Sequence, residues 1–141
     1  MTMACSRLAD ADLRTRPEDC ILDAVIGMEA LLLAGAPERK GELSLQFSLN
    51  YAMLFPPEHR VDAYKVAHDL YGLRSTIAHG RPTPKGKTVS ARVELSEAGR
   101  RATAALRTII VRFLPMDGSP YKDREFWLRK YFGLPEPDRG S

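Results

Sequence analysis

Apolar positions along this chain of 141 residues recur at three- and four-residue spacing in four long stretches, each bounded by helix-stopping residues. In the first, Leu22, Val25, Ile26, Met28, Leu32 and Leu33 cover more than half a helical circumference, which predicts a helix buried between neighbours. Thr15, Pro17 and Glu18 form a start signal for it: an N-cap, a first-turn proline and an acid placed to reach back. Gly35 and Pro37 mark its end. Leu43, Phe47, Tyr51 and Leu54 predict a second helix over 42–55, stopped by Pro56-Pro57. A third runs from near Pro57 to Gly80. A fourth covers 96–114, burying Ala98, Ala102, Ala105, Leu106, Ile109, Ile110 and Phe113 and turning Arg100, Arg101, Arg107 and Arg112 outward.

The ends of the chain are less regular. Residues 1–14 show no sustained periodicity and are expected to be a flexible lead-in. Ser119-Pro120 starts a last short helix whose aromatic cluster, Phe126, Trp127, Tyr131 and Phe132, needs a surface to dock on. Residues 134–141 are expected to be a disordered tail. The fold expected for 15–133 is therefore all-α: an antiparallel four-helix bundle with a short additional C-terminal helix.

The third helix has an unusual third face. At about 100° per residue, Ala63, Val66, Leu70, Leu73 and Ile77 share a core stripe, while Lys65, Asp69 and Thr76 fall roughly opposite. Between them lie Tyr64, His68, Tyr71, Ser75 and His79, where a solvated face would carry Lys, Glu and Gln. Arg74 stands on the border of that face and the core. On the first helix Glu29 sits inside the apolar stripe, where an unpaired carboxylate costs several kcal/mol, on the order of 2–5. Two misfits of opposite sign are natural partners, so Glu29 is expected to meet Arg74. Asp19 and Asp23 read as ordinary acids near a helix N-terminus.

The stretch Leu70-Tyr71-Gly72-Leu73-Arg74-Ser75-Thr76-Ile77-Ala78-His79-Gly80 resembles the signature of HEPN domains (higher eukaryotes and prokaryotes nucleotide-binding), most closely the Apea-like branch. There the helix reads roughly Leu-Tyr-x-x-Arg-Ser-x-Ile-x-His-Gly. The likeness covers about residues 17–115. It implies a homodimer formed along the third helix, and a metal-independent endoribonuclease in the active members, of toxin or antiphage type with a possible cognate antitoxin. Arg74 and His79 match the family's catalytic pair, and Glu29 matches an acid that commonly accompanies it. Ser75 departs from the Asn, Asp or His found there in many active members.

Composition narrows the alternatives. With 44% hydrophobic residues the chain can bury a core, and a net charge of +3 permits an anionic partner without demanding one. Arg81, Lys85, Lys87 and Arg92 follow the signature with no acid among them. Cys5 and Cys20 form neither a metal-ligand spacing nor a disulfide framework. No apolar run reaches the ~20 residues that span a bilayer, and no signal-like segment opens the chain, so the expected location is the cytoplasm.

Arg and His suit attack of an RNA 2′-hydroxyl on its own phosphate without a cofactor. His79 moves protons, Arg74 stabilises charge on phosphorus, and Ser75 adds a hydrogen bond, with Tyr71 beside them. Arg81, Lys85 and Lys87 would hold the RNA backbone. Five residues along one helix separate two side chains by about 140°, so a shared cleft requires two copies related by a twofold axis. A non-catalytic nucleotide- or RNA-binding module, or a dimerisation module of the same fold, is the alternative expectation.

Overall fold

Proline and glycine punctuate the helices much where the sequence places them, and the exceptions are informative. The computed structural model describes residues 1–36, 42–80 and 89–135, with the side chains of 89–91 outside the description. Among these residues the structure is all-helical: α1 (Thr2–Leu13), α2 (Pro17–Leu32), α3 (Leu43–Ala52), α4 (Arg60–Ala78), α5 (Val89–Phe113) and α6 (Arg124–Tyr131). Single 3-10 turns at Pro57–His59 and Pro120–Lys122 lead into α4 and α6.

α2 is the hub. Its buried residues Ile21, Ala24, Val25, Met28, Leu31 and Leu32 point in several directions, and it packs against α1, α4 and α5, touching α3 at its end. α3 in turn packs on α4, where the Phe47 ring meets Tyr71. Pro17 occupies the first helical position, and the residue before it is pushed into extended backbone (φ −92°, ψ 126°). The N-cap is therefore Arg16, without a side-chain cap bond. Thr15 stands one residue too early to cap the helix as its sequence suggests.

The N-terminal segment corrects the expectation of a flexible lead-in. Thr2–Leu13 is a helix with Ala4 and Ala11 buried and Leu8 half-buried. Its apolar stripe is built of small residues, so its periodicity is faint, yet small residues allow close approach. A Cβ on Gly27 of α2 would lie 2.7 Å from Leu106 Cδ2 of α5 and 3.1 Å from Arg7 Cβ of α1. The three helices thus converge on a position where any side chain would force Leu106 to shift. Charge completes the attachment: Arg7 Nη1 and Arg14 Nε donate to the two oxygens of Asp23, at 2.8 and 2.7 Å. Asp23, which reads in the sequence as an ordinary acid near a helix N-terminus, is only 5% exposed.

α5 begins at Val89, ahead of the expected Ser96. The segment from Val89 to Leu95 contains no glycine or proline, so the helix continues back through it. At the C-terminus the aromatic cluster docks as expected: Phe113 meets Tyr121, Phe126 and Trp127 at ring-centroid distances of 4.6, 6.2 and 6.1 Å. Trp127 Nε1 donates to the Tyr121 carbonyl at 3.0 Å. The cap of α6 is Asp123, whose Oδ1 accepts from Glu125 N–H at 3.0 Å. Phe132 stays 72% exposed.

Gly35 closes the seam between the end of α2 and the Pro120–Lys122 turn, since a Cβ there would lie 2.5 Å from the Lys122 carbonyl oxygen. The obstacle is backbone and cannot rotate away. Gly35→Ala is expected to lower stability by about 1–3 kcal/mol, measured as a shift of the urea midpoint at unchanged slope. An unchanged midpoint would show that this seam is slack.

Candidate functional site

α4 ends where the sequence predicts. His79 is its C-cap, its N–H donating to the Ser75 carbonyl at 3.1 Å. Gly80 takes a φ of +61° and donates to the Ile77 carbonyl at 3.0 Å, which turns the chain off the helix. The expected core stripe is mostly inward: Ala63 and Leu70 are buried with Ala67 beside them, and Val66, Leu73 and Ile77 are half-buried. Lys65 and Asp69 are exposed as expected, while Thr76 is half-buried and bonds back to the Gly72 carbonyl at 3.1 Å.

The two misfits do meet. Arg74 Nη2 of α4 lies 3.4 Å from Glu29 Oε2 of α2, with side-chain exposures of 30% and 21%. Arg74 Nε is buried without a hydrogen-bond partner among the described residues. One long contact therefore leaves the guanidinium fork largely unused. Burial pushes the Glu29 carboxyl above its usual range, and Arg74 only partly opposes it. Tyr71 closes the group from the side. Its hydroxyl is pushed up by burial first, then by the Glu29 charge, with Arg74 opposing, and its ring packs on Phe47 at 5.0 Å.

The raised Glu29 value has a sign that can be tested. A carboxyl raised in the folded state binds protons more readily folded than unfolded, so it costs stability as pH rises through the window above the ordinary carboxylate value. Glu29→Gln is expected to change stability by less than about 1 kcal/mol at pH 7. Any gain should vanish below pH ~4. Thermal unfolding of both proteins across pH checks this, and a large loss at pH 7 would contradict it.

His79 itself is exposed, and its Nδ1 lies 2.7 Å from the Ser75 carbonyl oxygen. A carbonyl can only accept, so Nδ1 carries a proton, and Nε2 is the nitrogen that can accept one when the ring is neutral. The Ser75 side chain is half-buried, and it is the main chain of Ser75 that holds the imidazole. Within one chain the structure thus forms two groups. Glu29, Arg74 and Tyr71 face α2 and α3, while His79 rests on its own helix end, with no bond between Arg74 and His79. His68 is exposed and stacks on Tyr64 at 5.8 Å, 10° from parallel. Arg81, Lys85 and Lys87 lie outside the described residues.

Two buried polar features escaped the sequence reading. Asp23 holds α1, and Asn50 of α3 ties two ends of the molecule together: its Nδ2 donates to the Leu32 carbonyl at 2.7 Å, and its Oδ1 accepts from the Tyr131 hydroxyl. Asn50 follows the apolar Leu49 at a helix position that only a tertiary partner justifies, and Tyr131 supplies it. Among the described residues no group of three or more His, Cys, Asp and Glu could hold a metal ion, and no helix is long and apolar enough to cross a membrane. Comparison with protein-family models, with curated proteins and with solved structures gives no match.

Proposed function

We propose that this chain is a HEPN-type RNA-binding protein that works as a homodimer and cleaves RNA without a metal. The observation that carries the reading is the pair of arrangements at one end of α4: an arginine steered by a half-buried glutamate, and an exposed imidazole held at Nδ1 by the Ser75 carbonyl. On this reading two α4 helices pair about a twofold axis along Tyr64, His68, Tyr71 and His79, and α2 to α5 correspond to the family's four-helix bundle.

Each groove then takes Arg74 from one protomer and His79 from the other. His79 Nε2 accepts the proton of the RNA 2′-hydroxyl as its oxygen attacks the adjacent phosphorus. The bond from phosphorus to the 5′-oxygen breaks, that oxygen takes a proton from water, and His79 returns its own to solvent. The products are a 2′,3′-cyclic phosphate and a 5′-hydroxyl. Arg74 balances the charge that builds on the phosphoryl oxygens, and Glu29 is a positioning residue for Arg74. The cations Arg81, Lys85 and Lys87 would border the groove, in a protein acting in the cytoplasm as a toxin or antiphage factor with a cognate antitoxin as its natural regulator.

The test is incubation of the purified protein with end-labelled RNA. Cleavage that survives EDTA and yields cyclic-phosphate ends is the expected outcome. RNA binding without any cleavage would leave the non-catalytic binding module as the function.

A further inference from the structure

The outer face of α5 is basic in a way the α4 site does not use. From Ala98 to Leu114 the chain carries Arg100, Arg101, Arg107 and Arg112 with no lysine and no acid. All four are exposed, while Ala102, Ala105, Leu106, Ile109, Ile110 and Phe113 are buried on the opposite side. At about 100° and 1.5 Å per residue, they form two rows. Arg100 and Arg107 stand about 10.5 Å apart along the axis, and Arg101 and Arg112 about 16.5 Å apart, on a second line about a third of a turn away. Between the rows lie Ala104, Thr108 and Val111, the last 64% exposed. These three line a shallow hollow of about 400 Å³ with Arg107 and Arg112 as its sides.

The charges here are available. Arg107 pairs with Asp12 of α1 at 3.2 Å and Arg100 with Glu97, both as surface pairs with every partner about half exposed or more. Such pairs contribute on the order of 0–1 kcal/mol and exchange readily for other anions. Arg101 and Arg112 have no ion pair among the described residues. α2 packs on both α4 and α5 and stands between this face and the Arg74–His79 helix.

We infer that the outer face of α5 is a second binding surface, on which a single strand of RNA lies with its phosphates on the two arginine rows and its sugars over Ala104 and Val111. Arginine forks fit phosphate oxygens, and a floor of small and apolar side chains accepts ribose where a flat acidic partner would want continuous cations. The choice of RNA as occupant rests on the proposed function; the anion-binding geometry does not. The surface extends the footprint of a long substrate beyond the α4 groove, so substrate length is read by α5 and bond cleavage by α4.

The test measures binding of a fluorescent single-stranded RNA of about 20 nucleotides at several salt concentrations. R101E/R112E should weaken binding at least tenfold, and R101Q/R112Q should flatten the log–log salt slope by about 1.4, near 0.7 per lost phosphate contact. Both variants should unfold like the parent, since the changed side chains are exposed. His79→Ala should bind the same RNA as the parent does, so loss of catalysis and loss of this surface are distinguishable. Unchanged affinity and slope in both α5 variants overturn the inference. So does equal displacement of the RNA by polyglutamate, which would make the occupant an acidic protein.

Discussion

His79→Ala is expected to reduce RNA cleavage by about 10²–10⁴-fold, the usual loss when a positioned proton-transfer group is removed. Arg74→Ala should fall in the same range, since it takes away the charge-balancing donor. Fold should persist in the first case, because the His79 side chain is exposed and its Nδ1 bonds to its own helix. Glu29→Gln separates positioning from chemistry. It leaves Arg74 in place as a cation but without its steering charge, so cleavage should fall by a smaller factor, about tenfold, at nearly unchanged stability. Cleavage at parental rates in both His79→Ala and Arg74→Ala would remove the nuclease reading altogether.

Asp23→Ala is expected to cost about 2–4 kcal/mol of stability. Its carboxylate is the shared acceptor of Arg7 and Arg14, with its side chain 7% exposed against 34% and 48% for the arginines. The arginines can turn to water when it is lost, which keeps the cost below that of a fully buried pair. The loss should appear as a lower urea midpoint and as faster proteolysis within residues 1–14. A change below about 0.5 kcal/mol would show that α1 is held by its alanine face alone.

The helices that could be read from the sequence were those with large apolar residues at helical spacing. α2, α3 and α4 have Ile21, Met28, Phe47, Tyr51 and Leu70 in the core and lie close to their expected bounds. α1 was illegible because its inward face is Ala4, Leu8 and Ala11, and because Arg7, Asp10, Asp12 and Arg14 broke the apolar pattern. Two of those same charges, Arg7 and Arg14, are what fasten it, through Asp23. Such a contact is written in two distant segments and has no local period.

The candidate site divides in the same manner. The meeting of Glu29 and Arg74 could be inferred because each violates its own helix pattern, and opposite violations seek each other. The imidazole held by the Ser75 carbonyl could not, since a main-chain acceptor leaves no mark on residue identity. The role of Asn50 was equally hidden: a buried amide reads as a mistake until Leu32 and Tyr131 are brought to it.

The proposed groove needs a guanidinium and an imidazole from opposite protomers, and subunit mixing tests this most directly. Arg74→Ala and His79→Ala proteins, each inactive alone, are mixed in equal amounts, allowed to exchange subunits and assayed on labelled RNA. Shared grooves predict recovery of roughly a quarter of the parental rate, because about half the dimers are mixed and each of those has one complete groove. No recovery, with exchange verified, would contradict a site built across the twofold axis.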